Sequence, residues 1–115
     1  ADAGFVVAAP EFPYTSSASG NGLDRDDIVN QAADISFVIS RLLAPDGAPA
    51  EVQGLVNRNA SVGVVGHSDV GVTAAAVAYN DEVADGRVGA VWIGALPGEA
   101  PPADAIAAAI AVARA

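Results

Sequence analysis

The residues best suited to chemistry lie in one short stretch, Gly66-His67-Ser68-Asp69-Val70-Gly71. It follows Val62-Gly63-Val64-Val65, an apolar run with the length of a buried strand, and precedes Val72 to Tyr79, a run of small residues suited to a helix. A sharp turn in that context lifts one serine hydroxyl above the carboxyl end of its strand. The chemistry open to such a serine is nucleophilic attack on a carbonyl, provided that a base takes its proton. The backbone N–H of Asp69 would lie near the helix N-terminus and point at a developing oxyanion. Ser68 is therefore the candidate nucleophile and the Asp69 N–H a candidate oxyanion donor. Gly66, His67 and Gly71 are the supports of the turn. The plainer alternative is an ordinary strand-to-helix turn with Ser68 as a cap.

The other chemical residues fit less well. His67 is the sole histidine, but adjacent side chains at a strand end point to different sides, so it is expected to pack away from the Ser68 hydroxyl. The Asp69 carboxylate is expected to cap the helix. Glu99 and Asp104 follow the third apolar run, where an acid could orient a histidine, yet no second histidine exists. Asp24, Asp26 and Asp27 lack the spacing of a calcium loop and read as a solvated helix start. Gly66 to Gly71 has phosphate-loop spacing, but Val72 stands where that loop needs lysine. No metal or organic cofactor is implied.

The elements that must hold the turn follow from pattern. Strands are expected at 5–9, 62–65 and 88–93, with the elbow at 66–71. Helices are expected at 24–43, 70–80 and 103–114. In the first helix Ile28, Ala32, Ile35, Ile39 and Leu42 recur at spacings of 4, 3, 4 and 3, which makes one apolar stripe. Asp24 can cap it, and Pro45-Asp46-Gly47 ends it. Residues 10–23 and 44–60 are connectors, the second with one short helical turn around Glu51 to Val56. Strands alternating with helices imply parallel pairing, and apolar runs without alternation imply strands covered on both faces. The expected fold is α/β: one domain over 1–115, a three-layer α/β/α sandwich on a short parallel sheet of about three strands.

Composition narrows the partners. The 115 residues suffice for one compact domain. They include 27 Ala, three Phe, two Tyr and one Trp, so the expected core is thin. The net charge is −9, there is no Lys, and the five Arg are scattered at 25, 41, 58, 87 and 114. Neither nucleic acid nor an anionic membrane surface is a suitable partner for such a surface. No run approaches the roughly 18 to 20 apolar residues of a membrane span. With no Cys there is no disulfide, thiolate metal site or thiol chemistry, and the compartment stays open. The opening Ala1-Asp2-Ala3-Gly4, without Met, reads as a processed or truncated start.

Gly66-His67-Ser68 followed by Gly71 resembles the G-H-S-x-G-G elbow of α/β-hydrolases. Gly4 to Pro13 is similar to the strand and loop that precede it in that family. Asp27-Ile28-Val29-Asn30-Gln31 with Asp34 is similar to the next helix of dienelactone-hydrolase-like and acetylhydrolase-like bacterial serine esterases, and Arg87 to Trp92 to the strand after the elbow. The resemblance spans roughly residues 4 to 98 and implies the central piece of such a core, acting on a small-molecule ester. It departs in two ways. Val70 stands where the family usually has glycine, and is expected to crowd Gly66. The family's acid, its histidine and its second oxyanion donor belong to segments that this chain does not contain. Two readings follow: a serine carboxylic-ester hydrolase core that is incomplete here, or a non-catalytic interaction module of the same ancestry. In the second, missing strands come from a partner chain or from self-association, because open strand edges invite pairing.

Overall fold

A computed structural model describes residues 3–16, 24–94 and 108–113. The described residues form a mixed α/β fold of four strands and two α-helices. The strands are β1 (Phe5–Ala8), β2 (Val62–His67), β3 (Val88–Gly94) and β4 (Ala108–Ala113); the helices are α1 (Ile28–Leu43) and α2 (Asp69–Tyr79). A 3-10 turn, Arg25–Asp27, leads into α1. Asp24 Oδ1 accepts from the Asp26 N–H at 3.0 Å, so Asp24 caps this turn rather than the α-helix itself.

The sheet runs in the order β1-β4-β2-β3. β2 and β3 pair parallel, as expected, with Val64 beside Val91 and Val65 beside Trp92. β4 corrects two expectations at once. Residues 108–113 are a strand, not the end of a helix over 103–114; residues 103–107 lie outside those described. The sheet is accordingly four-stranded and mixed, since β4 is antiparallel to both β1 and β2. The reason is visible in Ala108-Ala109-Ile110-Ala111-Val112-Ala113. Alanine favours helix, but the branched residues alternate with period two, and β4 gains a backbone ladder on each side. Ile110 and Val112 are fully buried.

Paired residues share a sheet face, which sorts the side chains cleanly. Val6, Val62, Val64, Ile110 and Val112 line one face and are buried. α2 packs on this face over β2 and β3, and α1 packs against α2. The apolar stripe of α1 is the buried one: Ala32, Ile35, Ile39 and Leu42, joined by Gln31. The opposite face carries Phe5, Val7, Val65 and Trp92. It is open, with Phe5 45%, Val7 48% and Trp92 60% exposed.

Two polar linkages tie the layers. Gln31 Nε2 donates to Thr15 Oγ1 at 2.8 Å, and Thr73 Oγ1 donates to Gln31 Oε1 at 2.7 Å. Gln31 and Thr73 are almost fully buried, so this chain of bonds holds the segment after β1, α1 and α2 together where water cannot replace a lost partner. In the second linkage, Arg87 grips Asp85 with Nε and Nη2 and reaches α1 through Ser40 Oγ and the Ser36 carbonyl. The connector 44–60 holds one helical turn, closed by the Gln53 N–H on the Pro49 carbonyl at 2.9 Å, slightly earlier than expected.

The Arg87 guanidinium lowers the Asp85 carboxyl from 3.8 to about 2. A depressed carboxyl stabilises the fold above its unfolded value and loses that contribution as pH falls through its folded value. We expect Asp85 to contribute on the order of 1 kcal/mol, allowing for solvent around the part-exposed guanidinium, and to lose it between about pH 4 and 2. Urea denaturation of the wild type and Asp85→Asn across that range checks this: the gap between them should close as the pH drops.

Candidate active site: the turn at Ser68

β2 runs two residues further than its apolar core suggests, to His67, and α2 begins at once with Asp69. Ser68 alone makes the turn. Its backbone sits at φ 56°, ψ −127°. Among the described residues it is the only non-glycine with positive φ. For a residue with a Cβ this conformation costs on the order of 1–3 kcal/mol, and it persists only where the surroundings over-determine it.

The surroundings do so through close packing. A Cβ on Gly66 would collide with the Val70 carbonyl oxygen and stand 2.9 Å from the Ala74 Cβ. A Cβ on Gly71 would stand 2.8 Å from Ile93 Cγ2. Gly66 lets α2 lie directly on the end of β2, and Gly71 lets it lie on β3. Two backbone bonds then pin the turn: the Ser68 N–H donates to the Gly94 carbonyl at 2.9 Å, and the Gly71 N–H donates to the Ser68 carbonyl at 2.8 Å. The expected crowding of Gly66 by the Val70 side chain is not what limits the turn. Its backbone makes the contact, while its half-buried side chain packs against the core.

Ser68 is exposed, and its hydroxyl makes no capping bond to α2. This corrects the assignment of the cap. Ser68, not Asp69, holds the cap position, and Asp69 is the first helical residue. The Asp69 carboxylate therefore stands in the first turn, where the helix dipole favours it. Because α2 begins directly after Ser68, the helix N-terminus lies at the same end of the sheet as the serine.

His67 belongs to β2 and pairs with Gly94. Its Cδ2 lies 3.3 Å from the position of a Gly94 Cβ, and the Trp92 ring covers the same glycine. The ring thus lies by Trp92 on the open sheet face, and no hydrogen bond joins it to Ser68 among the described residues. Gly94 of β3 lies beside Ser68, and Ala108 of β4 pairs with Gly66, two residues before it. The β4 neighbour is the part of the site that sequence reasoning missed. The alternation of Ile110 and Val112 was the signal for it. Glu99 and Asp104 lie outside the described residues.

Asp24, Asp26, Asp27, Asn30 and Tyr14 line a separate shallow cleft of about 240 Å³. Asp27 Oδ1 accepts from Asn30 Nδ2 there at 2.9 Å. No cluster of three or more potential metal ligands occurs among the described residues, and no helix among them is long and apolar enough to cross a membrane.

Compared with protein families, with characterised proteins and with solved structures, the chain matches none. What fold and site define is a mixed α/β protein with an exposed serine held at positive φ between a strand and a helix.

Two substitutions probe the turn. Gly66→Ala should destabilise by about 1–3 kcal/mol through overpacking against the α2 backbone. Ser68→Gly should instead stabilise by about 1 kcal/mol, because glycine adopts this conformation without strain. Urea midpoints followed by circular dichroism measure both; a lower midpoint for Ser68→Gly would show that the turn is unstrained.

Proposed function

We propose that Ser68 is the nucleophile of a serine carboxylic-ester hydrolase core of α/β-hydrolase type. One observation carries this reading: an exposed serine is held at φ 56° in a one-residue turn between β2 and α2. Strain of this kind is retained where a side chain has to be presented, and here it presents a hydroxyl. In the reaction Ser68 Oγ attacks the ester carbonyl carbon, and its proton passes to a base. The Asp69 N–H donates to the oxyanion. Collapse of that intermediate expels the alcohol, which takes the proton back from the base, and water then releases the acid from the acyl-serine. His67 does not serve as the base, since it packs toward Trp92. The base, its orienting acid and the second oxyanion donor come from another segment or a partner chain. The three-layer sandwich is completed by a layer seated on the face of Phe5, Val7, Val65 and Trp92.

The open apolar face favours a second reading. An interaction module of the same ancestry would keep the turn as a packing device and use the sheet for association.

Two assays separate the readings. Hydrolysis of p-nitrophenyl acetate by the chain alone should be feeble, because losing one oxyanion donor costs about 10²–10³ in rate and losing the base costs more. A reactive fluorophosphonate should nevertheless label Ser68 ahead of the other serines, as read by peptide mass spectrometry, and Ser68→Ala should abolish that label. Labelling of Ser68 no faster than the other serines would favour the interaction module.

A further inference from the structure

Gln31 is the one polar side chain in the buried stripe of α1, among Ala32, Ile35, Ile39 and Leu42. An apolar residue would suit that stripe, and a buried amide is costly unless its groups are bonded. Both ends of this one are. Nε2 donates to Thr15 Oγ1 at 2.8 Å, and Oε1 accepts from Thr73 Oγ1 at 2.7 Å. With its NH2 end held by Thr15, the carbonyl end is the one turned to α2. The Thr15 end is itself anchored. Phe12 is buried in the core, and its carbonyl accepts from the N–H groups of Thr15 and Ser16 at 3.1 and 2.9 Å.

Thr73 follows Asp69 by four residues, so the two share a face of α2, one turn apart. That first turn carries the Asp69 N–H and adjoins the strained backbone of Ser68. Little else on the α1 side fixes it. The other buried residues of α2 are Gly71, Ala74 and Val77. Side chains this small make shallow ridges, which specify the rotation and sliding of a helix only loosely. On the sheet side, the Ser68 N–H pins the turn to the Gly94 carbonyl at 2.9 Å. The bond from Gln31 to Thr73 supplies a directional hold from the opposite side of the helix.

We propose that Gln31 is a positioning residue for Ser68, a role that rests on the reading of Ser68 as the nucleophile. Its amide bridges Thr15, fixed by the core, to Thr73, and so sets the rotation of the first turn of α2 against the end of β2. Gln31 touches no reacting atom. It acts through Thr73, by holding the Asp69 N–H and the Ser68 backbone in one arrangement. A buried polar bridge of this kind defines position where apolar contact alone would tolerate several.

Two substitutions at one position separate the hydroxyl from its bulk. Thr73→Val keeps the volume and removes the donor, whereas Thr73→Ser keeps the donor and removes a buried methyl. These variants, Gln31→Leu and the wild type are each titrated with urea. Each is also treated with the fluorophosphonate in the absence of urea, and the rate of Ser68 labelling is followed by peptide mass spectrometry. Thr73→Val and Gln31→Leu should slow that labelling about tenfold, the rate equivalent of one lost hydrogen bond, while Thr73→Ser should stay within about twofold of the wild type. Thr73→Ser should do so although its urea midpoint falls with the lost methyl. Labelling rates that follow the urea midpoints across the series overturn the proposal, as does an unchanged rate in Thr73→Val. If Gln31→Leu does not fold, the two Thr73 variants decide.

Amide hydrogen exchange reads the same hold without chemistry at the serine. The Gly71 N–H, bonded to the Ser68 carbonyl at 2.8 Å, reports the first turn of α2. It should exchange about tenfold faster in Thr73→Val than in Thr73→Ser. Should Ser68 of the wild type take no label, the nucleophile reading falls, and this exchange ratio alone decides whether Gln31 holds the turn. Equal exchange in the two variants overturns the proposal.

Discussion

The close approach of α2 to the end of β2 is the constraint on which the site depends. At Gly66 the helix backbone comes so near that no side chain fits beneath the Val70 carbonyl, and at Gly71 the helix rests on Ile93. With strand and helix held this tightly, one residue remains to reverse the chain between them. Ser68 takes positive φ because no room exists for a longer turn. The exposure of Ser68 and the absence of a capping bond from its side chain accompany that geometry.

The rest of the molecule acts to keep α2 in place. Thr73, one turn into the helix, is bonded through Gln31 to Thr15, so α2 is joined to α1 and to the segment after β1 by groups that are costly to leave unpaired. Arg87 and Asp85 tie the other end, linking the connection after α2 to α1. The apolar core between helix and sheet is built from modest residues, chiefly valine, isoleucine and alanine, and the two linkages define position where bulk alone would define it loosely.

The sheet is finished on one face only. Its buried face meets α2, while Phe5, Val7 and Trp92 are exposed on the other, and among the described residues β3 pairs with no strand on its outer side. β1 and β2 run in the same direction but do not touch; β4 fills the gap between them in the opposite sense. The described part of the open face is mostly apolar, with His67 beside Trp92, and carries no carboxylate. In a strongly acidic chain that is the surface where association meets the least electrostatic opposition.

Local pattern in the sequence determined the strand–serine–helix order around Ser68, the buried stripe of α1 and the parallel pairing of β2 with β3. Each depends on neighbours close along the chain: apolar spacing, glycines beside the serine, and turn residues at Pro45 to Gly47. The direction of His67 was legible as well, because alternation along a strand end is a local rule. Three things were decided by tertiary structure alone. Residues 108–113 became a strand because a slot between β1 and β2 offered two ladders and burial for Ile110 and Val112, which outweighs the helical preference of alanine. Gln31 became a buried bridge because Thr15 and Thr73, far apart in sequence, meet at it. One sheet face stayed open because coverage is a property of the assembled layers, and a run such as Val62 to Val65 reads the same whether one face or both are covered.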